Sequence, residues 1–226
     1  LDNHKGKFIL KKYFPVYWSF IFYVAYLFTS AFVLLAWIYS PLISLCIFFL
    51  VASFHFGYED LEMFFNQKFI LETPLYFLRG LIIISAPLYL NNVETVNFID
   101  ILLLGEKWIN LESATYAYIF YFNLVSIFSL TLLFWVRKNI NLKDFFIISF
   151  EVFSIVIIFK YLPLILAFTM YFCFMHSTKH ILSLAVELNG SNVYAGIKLF
   201  AKKAAPLTII TFAMSLIMLF YLSKEF

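Results

Sequence analysis

Residues 41–57 read PLISLCIFFLVASFHFG, seventeen positions without a single Asp, Glu, Lys or Arg. Wound as a helix at about 1.5 Å per residue the run is ~25 Å long, nearly the thickness of a bilayer's hydrocarbon core. Backbone groups in lipid must be paired within their own segment, so the run reads as a helix and not as an open strand. Pro41 suits its first turn, where a missing N–H costs nothing. Further apolar runs on either side give seven expected spans, near 13–39, 41–57, 74–90, 114–136, 144–161, 162–185 and 204–223. Pro74 and Pro206 are placed in first turns in the same way, with Thr73 as an N-cap. The mixed segment 92–112 reads as a short interfacial helix.

Composition agrees. The 226 residues are 64% hydrophobic, 22% aromatic and 13% charged, with a mean hydropathy of +0.92. Soluble domains are nearer about 45–50% apolar and ~25% charged. A soluble enzyme, a disordered segment and a nucleic-acid binder are excluded. The expected fold is all-α, a polytopic membrane helical bundle forming a single integral-membrane domain over residues 1–226. Cys46 and Cys173 sit inside apolar runs and imply no disulfide framework. No removable signal peptide is visible in the lysine-rich start.

Basic residues orient the bundle. Alternating the seven spans puts Lys5, Lys7, Lys11, Lys12, Lys68, Arg137, Lys138, Lys143, Lys198, Lys202 and Lys203 on the side of residue 1. Only Lys107, Lys160 and Lys224 fall opposite, while Arg79 and Lys179 lie within spans. The positive-inside rule therefore turns residue 1 toward the cytoplasm of a cell (inner) membrane.

Histidine is scarce: His4, His55, His176 and His180. In the seven-span topology His55 lies ~21 Å and His176 ~20 Å from the same outer face, with His180 one turn further on. Three imidazoles thus share one depth, toward the cytoplasm. His176 and His180 are spaced i, i+4 and share a helical face, a spacing that lets two side chains hold one metal ion. Imidazole suits iron, zinc, copper or nickel. Buried hydrogen-bonding histidines explain the same spacing, and spacing alone does not separate the two. Glu151, inside the fifth span, fits either a carboxylate that orients a ligand histidine or a protonated acid bonded to a neighbouring helix. Arg79 reads as structural, snorkelling or paired with an acid, and Glu59 and Asp60 as a loop pair at the membrane boundary. Diiron desaturases need more histidines than the four present. No Walker loop, GxSxG elbow or CxxC pair occurs.

Two motifs carry a resemblance. Phe54-His55-Phe56-Gly57-Tyr58-Glu59-Asp60 resembles the HFGxxD motif of the Brp/Blh family, and Tyr171-Phe172-Cys173-Phe174-Met175-His176-Ser177-Thr178-Lys179-His180 resembles its YFCFxHSxxH motif. Weaker agreement surrounds Phe150-Glu151 and Tyr161-Leu162-Pro163. These are membrane β-carotene 15,15′-dioxygenases that supply retinal to microbial rhodopsins. The resemblance implies Fe(II) (Fe2+) held by His55, His176 and His180, with O2 as co-substrate. Asp2 and Asp60 match family acids and, with Glu151, stand as groups that support the ligands. The substrate and product would be β-carotene and all-trans-retinal, with a rhodopsin as acceptor, and the setting is membrane lipid, without nucleic acid. Phe54, Phe56, Tyr171, Phe172 and Phe174 are tunnel candidates, although lipid-facing or core positions explain most aromatics here. The family's HGALD-like motif is matched only by Leu1-Asp2, and His4 does not match its ligand. The chain accordingly reads as a fragment lacking an N-terminal span and the C-terminal end. The rival expectations are a non-catalytic metal or small-molecule carrier using the same histidines, or a structural subunit. Carriers often show two matching halves, and no internal symmetry is visible.

Overall fold

The structure, a computed structural model, describes residues 16–65, 72–108 and 111–222. Asp2, His4 and the lysines of residues 1–15 lie outside the described residues. Among the described residues the chain is helical without strands. The elements are α1 (Trp18–Tyr39), α2 (Pro41–Leu61), α3 (Glu72–Leu90), α4 (Asn92–Leu102), α5 (Ser113–Val136), α6 (Leu142–Tyr161), α7 (Leu164–Met170), a π-helical turn (Tyr171–His176), α8 (Ser177–Leu188) and α9 (Val193–Leu222). The chain divides into two compact units, Leu1–His176 and Ser177–Phe226.

Five helices are long and apolar enough to cross a membrane, against the seven expected: α1, α2 with its 3-10 extension, α3, α5 and α9. They are the helices of a multi-pass membrane protein. The other two expected spans differ for identifiable reasons. α6 is 20 residues long but carries Lys143, Asp144, Glu151 and Lys160. The run 162–185 is helical at every residue from Leu164 on, but as successive α, π and α segments of 7, 6 and 12 residues, none of them long enough by itself. Pro206 lies inside α9, not in its first turn. That helix begins earlier because Asn192 Oδ1 accepts from the Ala195 backbone N–H at 3.1 Å, an N-terminal cap. α6 starts likewise at Asn141, which accepts from the Asp144 N–H at 2.8 Å. Thr73 lies within α3 and is not its N-cap.

The core of the first unit forms where α2 crosses α3. On α2 the crossing face is Ala52, Ser53, Gly57, Asp60 and Leu61; on α3 it is Leu75, Tyr76, Arg79, Gly80 and Ile83. The Ser53-Gly57 spacing puts two small residues on one face, the arrangement that lets membrane helices approach backbone to backbone. A Cβ at Gly57 would run into the Tyr76 carbonyl, and one at Gly80 into the Ser53 carbonyl. α3 is the central element, also packing on α5 and α6. Ser85 and Asn123, both buried, are hydrogen-bonded at 3.1 Å between α3 and α5. A smaller cluster of Leu45, Ile99 and Leu103 packs with Trp37, whose indole N–H donates to the Leu102 carbonyl at 2.9 Å. α7 is tied to α4 by the Leu164 N–H donating to Glu94 Oε2 at 2.9 Å.

In the second unit α8 and α9 pack closely, since a Cβ at Gly196 would meet the Ala185 carbonyl.

The crossing makes a stability prediction. Gly57→Ala or Gly80→Ala is expected to cost more than the ~1–3 kcal/mol typical of overpacking, because the obstructing atoms are backbone. Thermal unfolding in detergent should show this loss. Gly190→Ala should leave Tm unchanged, since its nearest neighbour, the Val186 carbonyl, is at an ordinary 3.6 Å.

Candidate metal and carotenoid site

α2 continues one turn past the apolar run, to Leu61. That turn places Asp60 in a helix, 1% exposed, where the sequence suggested a boundary loop. Opposite it stands Arg79, fully buried on α3. Arg79 Nη2 is 3.0 Å from Asp60 Oδ2 and 3.4 Å from Glu151 Oε2 on α6. The guanidinium therefore joins three helices. Its Nε and Nη1 have no hydrogen-bond partner among the described residues.

Asp60 is the hub of a wider network. The Tyr171 hydroxyl donates to Asp60 Oδ2 at 3.0 Å, and His176 Nδ1 lies 3.2 Å from Asp60 Oδ1. Both residues come from the π-helical turn, a rare wide-turn geometry that is frequent at functional sites. A carboxylate on one ring nitrogen of histidine is the usual support of a metal-ligating imidazole, and it leaves the other nitrogen outward.

Aromatic rings enclose His176. Phe56 is at 5.2 Å between ring centres, Tyr171 at 5.9 Å and Phe172 at 6.1 Å. Phe56 and Phe172 also meet edge-on at 5.1 Å. His55, on the exposed side of α2, lies with its ring centre 6.3 Å from that of His176. Among the other tunnel candidates, Phe54 is 42% exposed and stacks on Tyr58, while Phe174 is 66% exposed. Tyr171 is fully buried, its hydroxyl committed to Asp60.

The first unit thus brings together His55, His176 and Asp60. His180 belongs to α8, in the second unit. Glu151 pairs with Arg79, a partner that neither sequence alternative named. Of the two sequence readings of Arg79, the structure shows the pairing with an acid and not the snorkelling, and an ionisable group amid an apolar helix is also the signal that marks functional positions in membranes.

The donors present suit a borderline metal. With metal–nitrogen bonds of roughly 2 Å, two imidazoles at the angles of a tetrahedral or octahedral ion bring their ring centres to about 4.5–5.5 Å, so the observed 6.3 Å is wider than shared ligation requires and the rings would have to draw together on binding. Among the described residues no group of three or more His, Cys, Asp or Glu side chains is arranged to hold a metal ion.

Comparison with known families decides the relationship. The sequence model of a family described as "Beta-carotene 15,15'-dioxygenase" matches residues 1–226, the whole chain. The chain belongs to the β-carotene 15,15′-dioxygenase family. Membership implies carotenoid dioxygenase activity, with β-carotene as the substrate that the family name states. No curated protein and no solved structure matches the chain at a significant level.

The buried network makes an energetic prediction. Asp60→Asn leaves the Arg79 charge short of its nearer partner and is expected to cost ~3–5 kcal/mol, the usual loss when one member of a buried pair is removed. Asp60→Asn combined with Arg79→Met should recover part of that loss, because no uncompensated cation remains. Unfolding of the wild type, both single variants and the double variant measures this, and strictly additive losses would deny the coupling.

Proposed function

We propose that this protein cleaves the central 15,15′ double bond of β-carotene with O2, using Fe(II) held by His55, His176 and His180. One oxygen atom enters each fragment, so a single double bond is replaced by two aldehydes and the products are two molecules of retinal. The observation that supports the reading is His176 among aromatic rings with Asp60 on its Nδ1 and His55 beside it. It stands in a chain whose whole length matches the family.

The iron, when bound, supplies the open coordination positions at which O2 can be activated. The remaining work falls to the chain. Asp60 fixes the His176 ring, so the imidazole need not reorient during turnover. Phe56 and Phe172 present ring edges and faces to an uncharged polyene and keep water away from the imidazole. Neutral histidine donors limit the charge placed in lipid, where burial of an ion is expensive. Exposure of His55 leaves one side of the pair free for an apolar ligand. In cells the retinal would pass to a rhodopsin, with the histidines in the cytoplasmic half of the membrane.

Expression in cells that accumulate β-carotene tests this reading. Loss of orange colour with formation of retinal is expected for the wild type. His55→Ala, His176→Ala and His180→Ala should each reduce retinal to background while the protein still accumulates in the membrane. Persistent colour with iron bound would overturn the dioxygenase reading. Full activity in the His180→Ala variant would remove that residue from the ligand set.

A further inference from the structure

The Arg79 guanidinium is poorly explained as a source of stability. It is fully buried, and two of its nitrogens, Nε and Nη1, have no hydrogen-bond partner among the described residues. Buried ion pairs seldom repay the cost of leaving water, and well-packed apolar replacements are often as stable. What the guanidinium does accomplish is geometric. It takes Asp60 Oδ2 at 3.0 Å, and the Tyr171 hydroxyl takes the same oxygen at 3.0 Å. Asp60 Oδ1 is left toward His176 Nδ1 at 3.2 Å. An ionised carboxylate can only accept, so Nδ1 carries the proton of that contact, and in the neutral imidazole Nε2 then holds the lone pair.

Gly80, the next residue on α3, sits against the Ser53 carbonyl and the Gly57 backbone of α2. Helix backbones this close give Arg79 and Asp60 little freedom to separate. The chain of contacts therefore runs from a rigid crossing, through a guanidinium and a carboxylate, to one nitrogen of one imidazole. We infer that Arg79 is a positioning residue: acting through Asp60, it holds His176 as the Nδ1-protonated tautomer with Nε2 presented to a cation. The inference deepens the iron reading and rests on it for the identity of the cation.

The tautomer can be read without any metal. In detergent, the metal-free protein labelled with 15N-histidine reports protonation at each ring nitrogen by NMR, at alkaline pH where imidazoles are neutral. The His176→Ala spectrum identifies the His176 resonances. In the wild type, Nδ1 should carry the proton. In Arg79→Gln and Asp60→Asn that population should fall toward a free imidazole's mixture. Affinity for Co(II), used as an oxygen-stable probe, should weaken about 10–100-fold, as is usual when a partner of a metal-ligating histidine is removed. Arg79→Lys keeps the charge, and so the fold, but loses the planar fork. It should weaken Co(II) binding at least ~3-fold. Phe134→Ala, a fully buried core change outside the network, should lower Tm while leaving tautomer and affinity at wild-type values.

An unchanged His176 tautomer in Arg79→Lys and Arg79→Gln overturns the inference, as does an equal shift in Phe134→Ala. Wild-type Co(II) affinity in His176→Ala overturns the metal reading instead. A tautomer shift in the Arg79 variants would then still establish the positioning of the ring.

Discussion

A guanidinium buried among apolar helices must have carboxylates beside it, and that requirement organises the first unit. Arg79 has no route to water, so Asp60 on α2 and Glu151 on α6 have to stand within reach of it. Reaching Asp60 in turn requires α2 and α3 to cross almost backbone on backbone. Only residues without a Cβ allow that at Gly57 and Gly80. The apolar core then fills the space around the ion pair, with Leu61, Leu75, Ile83 and Ile148 all sealed from solvent. Charge sets the positions here, and hydrophobic packing follows them.

The same carboxylate links architecture to chemistry. Asp60 has one oxygen for the scaffold and one for the site: Oδ2 receives Arg79 and the Tyr171 hydroxyl, and Oδ1 faces His176. The π-helical turn sets the spacing of Tyr171 and His176 around it. Two ring systems that differ in polarity, phenol and imidazole, are thereby fixed by a single side chain.

How much of this was legible in the sequence depends on the range of the interaction. Apolar runs such as 41–57 declare themselves because lipid imposes backbone pairing within the segment, and the all-helical fold follows from that local rule. The number of spans did not follow. The boundary expected at 161/162 coincides with the end of α6 before Pro163, whereas the charge load of α6 and the π turn at Tyr171–His176 are features that a hydropathy average does not weigh. Within the site, the histidines and their motifs are visible because they are rare or contiguous. Asp60 was misplaced because α2 extends a turn beyond its apolar stretch, and helix length there is decided by packing on α3. The Arg79–Glu151 pair spans 72 positions in sequence, and no spacing rule reaches so far.

The charge load of α6 has a consequence for how the chain is built into a bilayer. A segment holding Lys143, Asp144, Glu151 and Lys160 partitions poorly into lipid by itself, and Glu151 lies near its middle. The counter-charge it needs is carried by α3, which is synthesised earlier. Until α6 has been made, Arg79 has Asp60 on α2 beside it but lacks Glu151. The second carboxylate thus comes to a charge that an earlier helix already holds.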